Sequence, residues 1–266
     1  MKVACTDLGM YRTDNKSWTD EALRQKVSYM ELAVARLPED EASLEELITH
    51  ALRCGVSLNL HAPYGINNIT STDSARRMAS IANVKRTIDL SAKYQLGTVT
   101  FHPGRLSDDG DDPESIWADM MEIVSDIVLY AKEKQVYIGI ENMECRPYEL
   151  VYTIDDLNRF APLTRDNPFF GATIDFAHYA SHGIGLPDLR ALKLPLHDVH
   201  LSQIVDGKMH SALSNAEGTP HIASVCRLLA DYGYDGPLVL EVTDRVWESA
   251  EILRSAIEAS ECGSAY

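Results

Sequence analysis

VYIGIE, residues 136–141, is a short apolar run that ends in a carboxylate. Seven other segments share this form, an apolar run with an acid or a histidine at or next to its last residue: KVACTD (2–7), SYMEL (28–32), SLNLH (57–61), TVTFH (98–102), ATID (172–175), DVHL (198–201) and LVLE (238–241). Continuous apolar runs are typical of parallel strands that are buried on both faces. The eight segments therefore predict a repeated strand unit with a polar group at its carboxyl end.

Segments with helical periodicity and helix-terminating residues separate these strands. They are predicted as helices at 19–27, 42–53, from 71 to just before Gly97, 113–134, 153–160, 186–192, 220–232 and 245–259. Alternating strands and helices of this size predict an α/β fold with a parallel sheet and right-handed crossovers. Eight units in 266 residues predict a single (β/α)₈ TIM barrel spanning 1–266, since that fold needs about 250 residues. An open, doubly wound sheet is the alternative, but it would not explain an acid or a histidine on nearly every strand.

The acidic composition argues against a nucleic-acid partner. The net charge is −16, from 40 acidic and 24 basic residues, whereas nucleic acids are bound mainly by Lys and Arg. No apolar run is long enough to predict a membrane span. The start, MKVACTDLGM, is already strand-like and carries no signal-peptide pattern, so a cytoplasmic protein is expected.

The sequence contains five cysteines that are spread along the chain. None forms a CxxC pair, so reduced buried thiols are expected rather than disulfides or a thiolate zinc site. The five are Cys5, Cys54, Cys145, Cys226 and Cys262.

The last four strand ends predict a metal site. Glu141, Asp175, His200 and Glu241 come from four successive predicted strands. In a closed barrel these ends meet at one mouth, where the active sites of this fold lie. Three carboxylates with one imidazole suit Mn²⁺ or Zn²⁺, and also Mg²⁺ or Co²⁺. Each residue alone could be a helix cap or a salt-bridge partner, but the ordered set is better explained by a shared cation.

A second group consists of histidines. His61 and His102 end the third and fourth strands, and they are predicted either to bind a second metal bridged through Glu141 or to hold substrate. His178, three residues after Asp175, and His210, in the loop after the seventh strand, carry the same two alternatives. His50, His182, His197 and His221 are expected to be structural or surface residues.

The ordered motifs also resemble a known superfamily. They are HAPYGINN (61–68), FHPG (101–104), IENM (140–143), IDFAH (174–178), VHLS (199–202), MHSALSNAEG (209–218) and LVLEV (238–242). In this order they are similar to the xylose isomerase-like barrels, which include sugar isomerases and epimerases and the endonuclease IV type of abasic-site repair enzyme (AP endonuclease family 2).

The resemblance to the ketose 3-epimerases implies the chemistry of the metal site. It implies one divalent cation held by the four-residue set and proton transfer by Glu141 and Glu241 through a metal-stabilised enediolate. Glu31, Tyr64 and Asn142 are the expected substrate-binding residues. The arginine that those epimerases carry six residues after the metal histidine is absent, and Asp206 stands there.

The resemblance to endonuclease IV implies a different use of the same mouth. Its zinc ligands correspond to His61, His102, Glu141, Asp175, His178, His200, His210 and Glu241. Its ninth ligand, an aspartate, is replaced by Lys208, whose ammonium repels a third zinc.

We therefore expect a metal-dependent sugar, sugar-phosphate or cyclitol isomerase or epimerase that acts on a small carbohydrate. The alternative is a zinc phosphodiesterase acting at abasic DNA sites, and a barrel that binds a polyol without turnover is a third hypothesis. The sugar, the reacting carbon and the subunit number stay open, and a homo-oligomer is compatible with the sequence. The acidic loop 104–113 is expected to be either a lid or solvated surface.

Overall fold

Eight parallel strands close into a barrel in the computed structural model, which describes residues 1–7, 15–34, 41–214 and 218–262. The barrel strands are β1 (Lys2–Thr6), β2 (Tyr29–Ala33), β3 (Ser57–His61), β4 (Val99–Phe101), β5 (Ile138–Glu141), β6 (Phe170–Asp175), β7 (Leu196–Leu201) and β10 (Pro237–Leu240). The strand β1 pairs with both β2 and β10, so the sheet has no free edge. This closure confirms the predicted (β/α)₈ barrel and excludes the open sheet.

Helices follow the strands in the predicted alternation, although the short helix directly after β6 was not predicted. They are α1 (Asn15–Arg24), α2 (Glu41–Arg53), α3 (Ser74–Tyr94), α4 (Pro113–Lys134), α5 (Ile154–Asn158), α6 (Phe176–Ser181), α7 (Ile222–Tyr232) and α8 (Val246–Cys262). The side chain of Asp73 caps α3, and Asp112 caps α4 directly before Pro113. Such caps satisfy the unpaired N–H groups of the first helical turn. None of the described helices combines the length and apolar character that crossing a membrane requires.

Several predicted helix boundaries were wrong. The first helix, predicted at 19–27, runs from Asn15 to Arg24, and Lys26 just beyond its end takes the left-handed conformation. The helix predicted at 186–192 is only a 3₁₀ turn, Leu189–Ala191. The helix predicted to run to just before Gly97 is α3, which ends at Tyr94 because Gln95 takes the left-handed conformation. An antiparallel hairpin, β8 (Gln203–Val205) and β9 (Lys208–Ser211), follows β7 and was not predicted.

Polar side chains occupy part of the barrel interior below the mouth. Thr100 and Thr173 form a hydrogen bond 3.0 Å long, and the side chain of Asn59 donates to the carboxylate of Asp198. All four are buried. Gly139 leaves the space for this layer, since a Cβ there would overlap the Thr173 hydroxyl.

The cysteines agree only partly with the expectation of buried thiols. Cys5 and Cys226 are buried, whereas Cys54 and Cys145 are exposed, and these four are free thiols. The side chain of Cys262 lies outside the described part of the chain. The two exposed thiols correct the prediction because they follow a helix and a strand end on the surface rather than lying in the core.

Candidate metal centre

The four residues predicted from the last strand ends lie together at the carboxyl-terminal mouth of the barrel. Glu141 ends β5, Asp175 ends β6, His200 is the fifth residue of β7 and Glu241 directly follows β10. One ligand atom from each lies within 4.8 Å of those of the other three. Glu141, Asp175 and His200 are fully buried, and Glu241 is 8% exposed. The register of the parallel strands produces this meeting, because Asp175 pairs directly with His200.

The side chains of these four residues direct their possible metal-binding atoms toward one another. His200 Nδ1 lies 3.0 Å from Glu141 Oε1 and 3.4 Å from Glu241 Oε1. Asp175 Oδ1 accepts a hydrogen bond from the backbone N–H of His178, while Asp175 Oδ2 is buried without a hydrogen-bond partner among the described residues. A buried carboxylate oxygen without a partner is costly. A divalent cation would satisfy Asp175 Oδ2 and offset the charge of three buried carboxylates.

The histidines form two further groups around the same carboxylates. His61 Nε2 and His102 Nε2 lie 3.2 and 3.1 Å from Glu141 Oε2, on the opposite oxygen from the one that faces His200. Glu141 can therefore bridge two groups of donors. The other group, again with ligand atoms within 4.8 Å of one another, is Asp175, His178, His210 and Glu241. The structure thus brings together all eight of the histidines and carboxylates singled out as metal or substrate ligands.

The pKa of Glu141 is shifted down, whereas the pKa of Glu241 is shifted up. Burial raises the pKa of Glu141, but the neighbouring His200, His102 and His61 outweigh it and hold the pKa well below its usual value. Burial raises the pKa of Glu241, and the charge of Glu141 adds to the rise against the lowering effect of His200.

The histidines respond to the same burial and the same carboxylates. Burial lowers their pKa, yet hydrogen bonding to Glu141 and the nearby acids raise that of His61 to about 9. The charges of Asp175 and Glu141 likewise raise the pKa of His178 to about 9. For His102 burial prevails and the pKa falls to about 4. Positive charge on some of these rings balances the acids, and a bound cation would take over that role with release of protons.

A cavity of about 610 Å³ opens above this centre. His61, His102, His178, His210 and Glu241 line its floor. A cavity of this size at the mouth of a barrel is typical of a small-molecule site. The described centre is therefore open on one side, as catalysis requires.

The three residues expected to bind substrate fall in different places. Tyr64 lines the cavity, with its ring edge-on to His61 at 5.3 Å. Glu31 and Asn142 are fully buried and are not among the residues that line the cavity. The side-chain amide of Asn142 instead donates to the carbonyl of Asp175 and accepts from its N–H, both at 2.9 Å. Direct substrate contact by Glu31 and Asn142 stays a prediction, and in the described structure Glu31 approaches His200 while Asn142 bonds to the backbone of Asp175.

Several cavity-lining residues were missed by the sequence analysis. Arg105 donates to the backbone carbonyl of Gly65 at 2.8 Å, which places the start of the acidic loop 104–113 in the cavity wall. Arg146 pairs with Glu144 at 2.7 Å. Burial raises the pKa of Glu149 to about 7, against the lowering charges of two arginines. These residues lie in the loops after β4 and β5, and only that position in the chain could have indicated them.

Lys208 stands where the endonuclease IV type has an aspartate, and Asp206 stands where the ketose 3-epimerases have an arginine. Lys208 is exposed on β9, and Asp206 is exposed in the turn of the hairpin with φ of +50°. Neither lines the described cavity. The group of Asp175, His178, His210 and Glu241 therefore gains no further ligand from either residue.

The fold and the centre together define a class, a (β/α)₈ barrel with clustered carboxylates and histidines at its active-site mouth. The description "Xylose isomerase-like TIM barrel" belongs to a family model that matches residues 20–261, so the chain belongs to this family.

Comparison with individual proteins agrees with this membership. The chain is 25% identical to the uncharacterized protein MJ1188 of Methanocaldococcus jannaschii over 197 residues, 73% of this chain and 70% of that protein. It superimposes on a D-tagatose 3-epimerase-like protein with a TM-score of 0.83 and 22% identity, covering 100% of both chains. The D-psicose 3-epimerase of Clostridium cellulolyticum H10 gives 0.76 and 16%, covering 98% of this chain and 99% of the other. The 3-keto-D-glucoside 4-epimerase YcjR of E. coli gives 0.76 and 15% over the same shares. At these identities the likeness is one of fold, and the proteins that share it are sugar epimerases.

Proposed function

We propose that this protein is a divalent-metal-dependent sugar isomerase or epimerase. The observation that carries the proposal is the meeting of Glu141, Asp175, His200 and Glu241, whose ligand atoms lie within 4.8 Å of one another, with Glu241 lining an open cavity. A small carbohydrate, free, phosphorylated or cyclic, is the proposed substrate. The cytoplasmic location expected from the sequence stays a prediction.

The donor set fits a divalent cation, with Mn²⁺ or Zn²⁺ preferred and Mg²⁺ or Co²⁺ compatible. Glu141, Asp175, His200 and Glu241 would hold it. When bound, the cation supplies a Lewis acid that polarises adjacent sugar oxygens and stabilises the negative charge of an enediolate.

The two glutamates are the proposed proton-transfer pair. An ionised carboxylate accepts the proton and a protonated one returns it, and the two carboxylates lie within 4.8 Å of each other in the centre. Glu241 lines the cavity, so a proton on its carboxyl can exchange with solvent. Removal of a proton from one face of a carbon and its return on the other face gives epimerisation, whereas return at the neighbouring carbon gives isomerisation.

The walls of the cavity position the substrate. Tyr64 offers an aromatic face and a hydroxyl, and His178 and His210 offer ring nitrogens beside Glu241. His178 Nδ1 is 2.9 Å from the backbone carbonyl of Asn142, which leaves Nε2 for a ligand. A hydroxyl-rich substrate matches such a set of mixed donors and acceptors.

The test is isotope exchange. The purified protein, loaded separately with Mn²⁺ and Zn²⁺, is incubated in deuterated water with ketoses that include D-tagatose, D-psicose and D-fructose, with aldoses, and with inosose-like compounds. We expect deuterium at a carbon next to a carbonyl, lost on chelation and in Glu241→Gln. The matched control is Glu248→Gln, an exposed glutamate on α8 that should keep full exchange. Silence across the whole panel with metal present would contradict the proposal.

A second candidate is favoured by a specific observation, the convergence of eight zinc-type ligands in overlapping groups. A phosphodiesterase acting at abasic sites would use them to hold two or three zinc ions. The net charge of −16 and Lys208 count against it. Zinc counting by mass spectrometry, with incision of a duplex that contains a tetrahydrofuran site, separates the two: one metal per chain and an intact duplex remove this candidate.

A further inference from the structure

Glu31 is a buried acid that the proposed proton transfer does not use. It lies on β2, which β1 and β10 separate from β7 in the closed sheet, yet its carboxylate reaches the ring of His200. Both Glu31 oxygens lie 3.3 Å from His200 Nε2. Both side chains are fully buried. A charged group in such a place is expensive unless it has a specific partner.

The two nitrogens of His200 face different neighbours. Nδ1 faces Glu141 and Glu241, the acids of the candidate metal centre, whereas Nε2 faces only Glu31 among the described residues. A histidine that binds a metal through one nitrogen commonly donates the N–H of the other to a carboxylate, which fixes the tautomer and the ring orientation. The arrangement matches that division of roles.

We propose that Glu31 is a positioning residue that holds His200 with Nε2–H directed to its carboxylate and Nδ1 free to bind the cation. This proposal rests on the metal set described above and adds to it a residue outside the coordination sphere. The carboxylate sets the direction of the Nδ1 lone pair and raises its basicity. Glu31 is not among the residues that line the cavity, so the proposed role acts through His200.

A simpler role would be structural, with Glu31 only neutralising a buried His200 in the metal-free protein. The two roles differ in what they predict. A structural residue changes the stability of the metal-free protein and leaves the affinity of the folded protein for metal unchanged. A positioning residue changes that affinity, because the ring must otherwise be oriented when the metal binds.

The experiment compares Glu31→Gln with Asp7→Asn and the unaltered protein. Glu31→Gln keeps the shape of the side chain and removes its charge. Asp7 is the matched control, because it neighbours Glu31 through a 3.2 Å backbone bond but its carboxylate accepts from the N–H of Ala33 rather than from His200. Each protein is stripped of metal, checked for folding by circular dichroism, and titrated with Mn²⁺ and with Zn²⁺ in a calorimeter.

We expect Glu31→Gln to weaken metal binding by about 10–100-fold, the usual effect of removing a carboxylate behind a metal-binding histidine. Asp7→Asn should bind as the unaltered protein does. Equal affinity in Glu31→Gln and the unaltered protein would overturn the positioning role and leave the metal centre intact. Failure of the unaltered protein to bind either metal would overturn both.

A measurement on the unaltered protein keeps the proposal testable if Glu31→Gln does not fold. Long-range ¹H–¹⁵N correlation spectra of the zinc-loaded protein report which nitrogen of each histidine ring carries the proton. The proposal requires His200 to be protonated at Nε2 with zinc on Nδ1. The opposite assignment, zinc on Nε2, would overturn it.

Discussion

Asp198→Asn should remove a pH dependence of stability that the barrel interior creates. Asp198 is fully buried on β7, where Asn59 donates to its side chain and the backbone N–H of Val199 donates to it at 2.9 Å. Burial, and next the charge of Glu31, raise its pKa to about 8, although His200 lowers it. In the unfolded chain an aspartate has a pKa of about 3.9. Between these values the folded protein holds one more proton than the unfolded chain.

The sign and size of the effect follow from proton linkage. The neutral acid is the form compatible with the fold, so its contribution is complete below the unfolded pKa and is lost as the pH rises through the folded pKa. One such proton lowers the free energy of unfolding by about 1.4 kcal/mol per pH unit within the window. Between pH 5 and pH 7 the loss is therefore up to about 3 kcal/mol. Asparagine has no proton to lose, so the variant lacks this slope.

The assay is urea denaturation of the metal-free protein and of Asp198→Asn at several pH values from 5 to 7. The variant carries a constant cost of about 1 kcal/mol, because its amide nitrogen cannot accept one of the two hydrogen bonds that the oxygens of Asp198 accept. Its stability relative to the unaltered protein should nevertheless rise with pH. Asp126→Asn, which removes a surface carboxylate that is 68% exposed, is the control for general charge effects. Parallel pH profiles for Asp198→Asn and the unaltered protein would refute a neutral Asp198.

Three further expectations concern the centre and its support. Addition of Mn²⁺ or Zn²⁺ to the stripped protein should raise the melting temperature, equivalent to about 2.7 kcal/mol at a hundred times the dissociation constant, and no shift in a thermal scan would speak against a metal centre. Gly139→Ala should destabilise the protein by about 1–3 kcal/mol in urea denaturation because its Cβ would press on Thr173, and an unchanged midpoint would show that the layer can move aside. Lys208→Asp places a carboxylate two residues before His210 on β9 and should add one bound zinc per chain by mass spectrometry. An unchanged zinc count would mean that the His178–His210 group does not bind metal even when completed.

The sequence was most informative where a local pattern and the fold rule act together. Apolar runs closed by a polar residue identified all eight barrel strands, and closure into a barrel then brought Glu141, Asp175, His200 and Glu241 to one mouth. This worked because parallel strands carry their carboxyl ends to the same edge whatever lies between them. Helix boundaries were less well predicted, since α3 was expected to run to just before Gly97 but ends at Tyr94, where Gln95 adopts the left-handed conformation.

The contacts of Glu31 and Asn142 could not be predicted from the pattern of strand-end residues. Glu31 is the third residue of β2 and Asn142 directly follows β5, and both were expected to bind substrate. Whether a side chain at such a position points into the cavity or beneath it depends on the tilt and stagger of the closed barrel, which no short segment encodes.

The sequence by itself determined the eightfold alternation, the types of donor at the strand ends and the excess of negative charge, because these are properties of residue order and composition. Only the tertiary structure decided that Glu31 reaches His200 across the barrel, that Asn142 bonds to the backbone of Asp175, and that Arg105 and Glu149 form part of the cavity wall. These contacts join residues far apart in the chain, and their distances are fixed by how the closed sheet brings its strands together.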